Sequence, residues 1–242
     1  MFAELAFVPT AMGELTLRRR QEPPRQVDIY EVKLGDEFLM SSQFTVAEIA
    51  LAELGLAALA PTTADAGVSV VVGGLGLGYT AAAVLEDPRV SELLVVEALA
   101  PVIEWHEAEL LPTSPALTGD QRCRFVHADL FAQVRGGVGF DDHAPGRRFD
   151  AILVDIDHTP AHHLDPSHAD LYTTAGLERL ARYLAPGGVF GLWSDDPPEP
   201  GFLAVLETVF GRVRAEVVTF ANHLTGGTSS NSVYLAQVTE AS

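Results

Sequence analysis

The stretch Val71-Val72-Gly73-Gly74-Leu75-Gly76-Leu77-Gly78-Tyr79-Thr80 decides the fold. Upstream of the glycines, Val68-Ser69-Val70-Val71-Val72 is a β-branched run that reads as a buried parallel strand. Downstream, Thr80-Ala81-Ala82-Ala83-Val84-Leu85 opens a helix. Glycine allows a tight turn and leaves no Cβ to bar a ligand. The helix that follows offers unpaired N–H groups at its start. The next strand, Leu93-Leu94-Val95-Val96-Glu97, ends on a carboxylate that can accept from both ribose hydroxyls of a nucleoside. A dinucleotide fingerprint has a two-residue gap before its last glycine, and Gly74-x-Gly76-x-Gly78 lacks it. That spacing is more typical of S-adenosylmethionine sites. We therefore expect S-adenosylmethionine or a close relative, with Gly74, Gly76, Gly78 and Glu97 as contacts.

Working outward, Arg124–Asp129, Asp150–Asp155 and Val189–Trp193 read as further strands. Helices are expected at Val102–Leu111, Ala175–Leu184 (stopped by Pro186-Gly187-Gly188) and Phe202–Phe210. Val213–Phe220 and Ser232–Val238 close the chain as an antiparallel pair. Such alternation specifies an α/β fold with a mainly parallel sheet covered on both faces. The terminal hairpin makes it a Rossmann-like, class I methyltransferase-type sheet. Before it, Gly13–Arg18, Val27–Leu34 and Glu37–Met40 read as a small β-layer, with Gly35-Asp36 as a turn and Glu22–Arg25 as a loop. Thr45 and Glu48 have capping-box spacing and open a helix through Ala60, ended by Pro61. The expected division is residues 1–44 for the β-layer and 45–242 for the ligand-binding domain.

The 242-residue chain has a formal net charge of −18 and a pI near 4.6. A field of that sign repels phosphate backbones and favours a cationic acceptor such as an amine. No apolar run approaches the roughly 20 residues of a membrane span. The start lacks the basic flank and apolar segment of a signal peptide. A single cysteine, Cys123, excludes an internal disulfide. A cytoplasmic protein without nucleic-acid or membrane partners is expected.

Acids recur at strand ends. Asp129, followed by Leu130, ends the third strand where an adenine would lie, and Asp155 ends the fourth, facing the crevice. Asp155 is the first candidate for general base or amine anchor, and Asp157 the second. The segment Asp157–His168 holds four histidines and two aspartates. These are metal-ligand types but equally common in polar surface loops, and no metal is assigned. His158 and His162 are candidates for orienting an acceptor or taking its proton, with Tyr172 and Trp193 lining the pocket. The connection Asn222–Asn231 reads as a long polar loop.

These features resemble the spermidine synthase superfamily, in particular a bacterial spermidine-synthase-like branch. The resemblance rests on Leu39-Met40-Ser41-Ser42, the glycine turn, Val96-Glu97, Asp155-Ile156-Asp157 and Leu184-Ala185-Pro186-Gly187-Gly188. It implies a homodimer, an acceptor role for Glu48 and a cofactor contact at Gln43. It also exposes departures. The aspartate that holds the aminopropyl amine in true synthases falls at Gly76, their Tyr-Gln-Glu reads Val46-Ala47-Glu48, and their second strand-end acid falls at His158. Without those anchors, methyl transfer from S-adenosylmethionine to a small molecule is the expected reaction. Aminopropyl transfer from decarboxylated S-adenosylmethionine is the alternative, and a non-catalytic nucleoside-binding or dimerisation protein is a third reading.

Overall fold

The computed structural model describes residues 2–10, 12–22, 25–60 and 67–239. The expected loop prolines Pro23 and Pro24 and the helix stop at Pro61 lie outside the described residues. Four strands come first: β1 (Phe2–Thr10), β2 (Gly13–Glu22), β3 (Val27–Leu34) and β4 (Glu37–Ser41), forming an antiparallel meander in sequence order. Strand β1 was not anticipated. Helix α1 (Val46–Ala57) follows, then β5 (Val68–Gly73), α2 (Tyr79–Leu85) and β6 (Val90–Glu97). Next come α3 (Ala100–Glu107), α4 (Ser114–Thr118), β7 (Cys123–His127), α5 (Leu130–Gly136) and β8 (Phe149–Val154). A 3₁₀ turn at Pro166–Asp170 leads to α6 (Thr174–Ala181), β9 (Leu184–Ser194), α7 (Pro200–Glu207), β10 (Arg212–Asn222) and β11 (Gly227–Gln237).

The main sheet has seven strands in the order β10-β11-β9-β8-β5-β6-β7. Strands β9, β8, β5, β6 and β7 run parallel to one another, and β11 runs antiparallel between β9 and β10. In β5, Val70 and Val72 join the core on one face of the sheet and Val71 joins the core on the other. This is the period-two signature of a strand covered on both sides. The first core also takes in Leu15, Leu17 and Val32, so the N-terminal sheet shares the apolar interior beneath α1. Helix α1 lies close on β8: a Cβ at Gly55 would come within 2.7 Å of Leu153 Cδ2. Among the described residues, no helix is long and apolar enough to cross a membrane.

Local differences from the sequence reading have physical causes. Thr45 precedes α1 but makes no side-chain capping bond, and Glu48 faces a cavity instead of turning back. The helix expected to reach Leu184 stops earlier because Leu184 already pairs with Phe149 in the sheet. The segment Asn222–Asn231 is mostly strand, with pairing continuing to Asn222 and Gly227, so only a tight turn joins β10 to β11.

The chain proceeds from β5 outward to β6 and β7, then returns to place β8 on the other side of β5. The carboxyl ends of β5 and β8 therefore flank a topological switch point, the place where such sheets bind ligands.

Candidate functional site: two cavities that share Asp155

The glycine turn sits at that switch point. Gly74, Gly76 and Gly78 have φ of +92°, +47° and +83°, a region that side chains other than glycine's rarely adopt. At Gly74 a Cβ would also lie 2.2 Å from the Asp155 carbonyl oxygen. The turn is buttressed by residues the sequence reading missed. Buried His106 on α3 donates from Nε2 to the Gly76 carbonyl over 2.9 Å. Its Nδ1 accepts from Ser114 Oγ at 3.2 Å. Burial pushes the imidazole's pKa down, which keeps it in this neutral tautomer.

Two cavities open on either side of this turn. The smaller, about 290 Å³, is lined by Glu97, Asp129, Leu130, Val96, Phe131 and His168 among others. Glu97 is buried, and its oxygens accept from Leu75 N (2.9 Å) and Leu99 N (2.8 Å). Burial raises its pKa, opposed by those backbone bonds. Asp129 both lines this cavity and caps α5, accepting from Ala132 N at 3.0 Å. The larger cavity, about 510 Å³, is lined by Glu48, Asp155, His158, Trp193 and Asp195, with Phe38, Phe44, Tyr79 and Phe220 as aromatic walls. Leu39, Met40, Gly74, Gly76, Asp155 and Ile156 line both cavities. Asp155 is the only titratable side chain in that shared set.

The electrostatics of the larger cavity are unusual. Burial, and then the nearby Asp155 and Asp195 carboxylates, push the Glu48 carboxyl up to about 8. Burial raises Asp155 to about 6, against a 2.6 Å hydrogen bond from Thr80 Oγ1 that lowers it. Carboxyls clustered in this way would rather hold a cation than stand alone.

Several expected site residues do other work. Asp157 is fully buried and accepts from Leu164 N, His168 Nδ1 and Tyr172 Oη, each at 2.8 Å. With three donors satisfied inside the loop, it faces neither cavity and is not positioned as a base. Tyr172 is likewise a loop brace rather than a pocket wall, its ring packed on Phe131 and Phe202. His162 is exposed, stacks obliquely on His158 at 5.0 Å and lines neither cavity. Gln43 is corrected too. It accepts from Arg20 Nη2 (2.8 Å), donates to Glu22 Oε1 (3.2 Å) and contacts His223, so it ties the N-terminal sheet to the β10–β11 hairpin. Among the described residues, no group of three or more His, Cys, Asp or Glu side chains is arranged to hold a metal ion.

No family model matches the chain. Against solved structures it superposes on a spermidine synthase in complex with the transition state analogue AdoDATO, with a TM-score of 0.72 and 18% identity, covering 97% of this chain and 73% of that one. In fold, the chain is spermidine synthase-like. Human methyltransferase-like protein 13 in complex with SAH superposes less closely, with a TM-score of 0.52 and 20% identity over 80% of each chain. By sequence, the chain is 29% identical over 137 residues to the polyamine aminopropyltransferase of Mycobacterium tuberculosis strain H37Rv, covering 57% of this chain. It spans about a quarter, 24%, of that curated relative's length. These likenesses bear out the expected α/β methyltransferase-type fold.

Proposed function

We propose that this chain transfers an aminopropyl group from decarboxylated S-adenosylmethionine to an amine. The observation that carries the reading is Asp155, the one carboxyl common to both cavities. The nucleoside would lie in the smaller cavity, with Glu97 on the ribose hydroxyls and Asp129 beside the adenine. The donor supplies an activated carbon next to its sulfonium. Asp155 and Glu48 hold the acceptor ammonium from the larger cavity. Asp155 takes its proton, leaving a lone pair in line with that carbon. A carbon–nitrogen bond forms, the carbon–sulfur bond breaks, and the electron pair leaves with a neutral thioether. The relatives' names support the same reading. We include the homodimer and the amine acceptor in this proposal.

Methyl transfer stays as a second reading for one reason. Gly76 offers no acid to the donor's tail, and a Cβ there would meet Met40 Sδ at 2.7 Å.

The test is incubation with decarboxylated S-adenosylmethionine, or with S-adenosylmethionine, and a panel of amines, followed by mass spectrometry. Release of 5′-methylthioadenosine with an aminopropylated amine is the expected result. A methylated amine formed only from S-adenosylmethionine would replace this reading with the second.

A further inference from the structure

His168 lines the smaller cavity but has no part in the transfer chemistry. It stands on the 3₁₀ turn after β8, and its ring lies on Phe131 with centroids 3.7 Å apart and planes 9° from parallel. Phe131 is in the first turn of α5, two residues past the cap Asp129. A second tie, from Arg135 Nη1 to the Ser167 carbonyl at 3.1 Å, holds the same 3₁₀ turn to the same helix. Asp129 and His168 therefore meet the cavity from adjoining elements, in the part that the larger cavity does not share. The two nitrogens of the imidazole have different surroundings. Nδ1 donates to Asp157 Oδ1 at 2.8 Å. That buried carboxylate also takes Leu164 N and Tyr172 Oη, so it serves purely as an acceptor. With the proton of the neutral ring held on Nδ1, Nε2 carries a lone pair. Nε2 makes no hydrogen bond among the described residues and is not sealed from solvent, so it opens on the cavity that the ring lines. Asp129 offers a second acceptor there: one carboxylate oxygen caps α5 through Ala132 N, and the other has no hydrogen bond among the described residues. Ser167 directs its hydroxyl to Asp165, which leaves no free side-chain donor on this part of the wall.

From this arrangement we infer that His168 is a specificity residue for the nucleoside base: together with Asp129 it reads an exocyclic amino group, each residue accepting one of its two hydrogens. The inference rests on the nucleoside placement in the amine-transfer reading above. A 6-amino purine answers both acceptors. A 6-oxo purine would turn a carbonyl oxygen toward the same two acceptors, with no side-chain donor to meet it. A site that bonds an amino group in this way rejects the analogue lacking it, because the site's own polar groups are left unpaired. The ring stack on Phe131 and the bond to Asp157 fix the imidazole's orientation, and that fixed lone pair is what discriminates.

The experiment is calorimetric binding at about pH 8, where an ordinary imidazole is neutral. The ligands are 5′-methylthioadenosine, 5′-methylthioinosine and N6-methyl-5′-methylthioadenosine, and the proteins are the full chain, His168→Phe and His168→Gln. Phenylalanine keeps a ring on Phe131 and removes the acceptor, and glutamine restores one. The full chain should bind the amino nucleoside at least about thirtyfold tighter than the 6-oxo one. The N6-methyl ligand, which leaves one acceptor without its hydrogen, should bind about tenfold more weakly than its parent. His168→Phe should narrow the amino-over-oxo ratio about tenfold, and His168→Gln should recover part of it. Equal binding of the amino and 6-oxo nucleosides, or a ratio unchanged in His168→Phe, overturns the inference and leaves aminopropyl transfer standing. Equal binding of the N6-methyl ligand and its parent overturns it on the full chain alone, whether or not the variants fold. Binding of no nucleoside overturns both the inference and the proposed function.

Discussion

Thr80 Oγ1 donates to Asp155 Oδ2 across 2.6 Å, tying the carboxyl just beyond β8 to the first turn of α2. The bond favours the ionised form of a group that burial pushes the other way. Thr80→Val removes the donor and keeps the shape. If Asp155 accepts the acceptor's proton, the acidic limb of the pH–rate profile moves up by about one unit. An unmoved limb would show that another group takes the proton.

Glu48 gives a stability signature. Its carboxyl titrates near 8 in the folded chain, above its ordinary value of 4.5. The folded state therefore binds that proton more tightly than the unfolded chain does. This contribution is fully present below pH 4.5 and is lost as pH rises through about 8. Glu48→Gln should flatten that decline and stabilise the protein above pH 8 by on the order of 2 kcal/mol, a Tm gain of about 5 °C. The same variant should weaken amine binding about tenfold, because an ionised Glu48 partners the ammonium. Thermal melts across pH and calorimetry with 1,4-diaminobutane and hexylamine check both halves.

Much of this was legible in the sequence, for reasons that differ by element. The strand β5, the glycine turn and Glu97 were readable because each is local: β-branched residues, positive φ and a strand-end acid need no distant partner. The switch-point position of Asp155 followed from strand–helix alternation. The roles of Asp157 and Tyr172 were not readable, since an aspartate two residues past a strand end looks the same whether it faces a ligand or a buried loop. Only the packing of Leu164, His168 and Tyr172 around it decides. The aromatic wall was hidden for a similar reason. Phe220 is far in the chain from Phe38 and Phe44 and joins them only when the N-terminal sheet lies against the β10–β11 hairpin.

Asp157 should then behave as a brace. Asp157→Ala strands three donors, those of His168 and Tyr172 buried, and should cost about 3 kcal/mol in urea denaturation. The pH of the acidic limb should not move in the surviving activity. A shifted limb at unchanged stability would return Asp157 to the chemistry.

Gly76 tests how the donor is chosen. Its φ of +47° is one that aspartate tolerates better than most residues, and Met40, the side chain in the way, is flexible. Gly76→Asp combined with Met40→Ala should shift preference toward the decarboxylated donor by about tenfold, since a carboxylate then faces the donor's ammonium. Competition between the two donors in single-turnover transfer measures it, and an unchanged ratio would show that position 76 does not face the donor's tail.

The central claim is that the smaller cavity seats a sulfonium nucleoside whose tail reaches Asp155. Calorimetric titration of the purified protein with decarboxylated S-adenosylmethionine, S-adenosylmethionine and S-adenosylhomocysteine tests it most directly. The account predicts binding of all three, tightest for the decarboxylated form, with that preference reduced in Asp155→Asn. Tighter binding of the carboxylate-bearing ligands would contradict aminopropyl transfer, and binding of none would contradict the site itself.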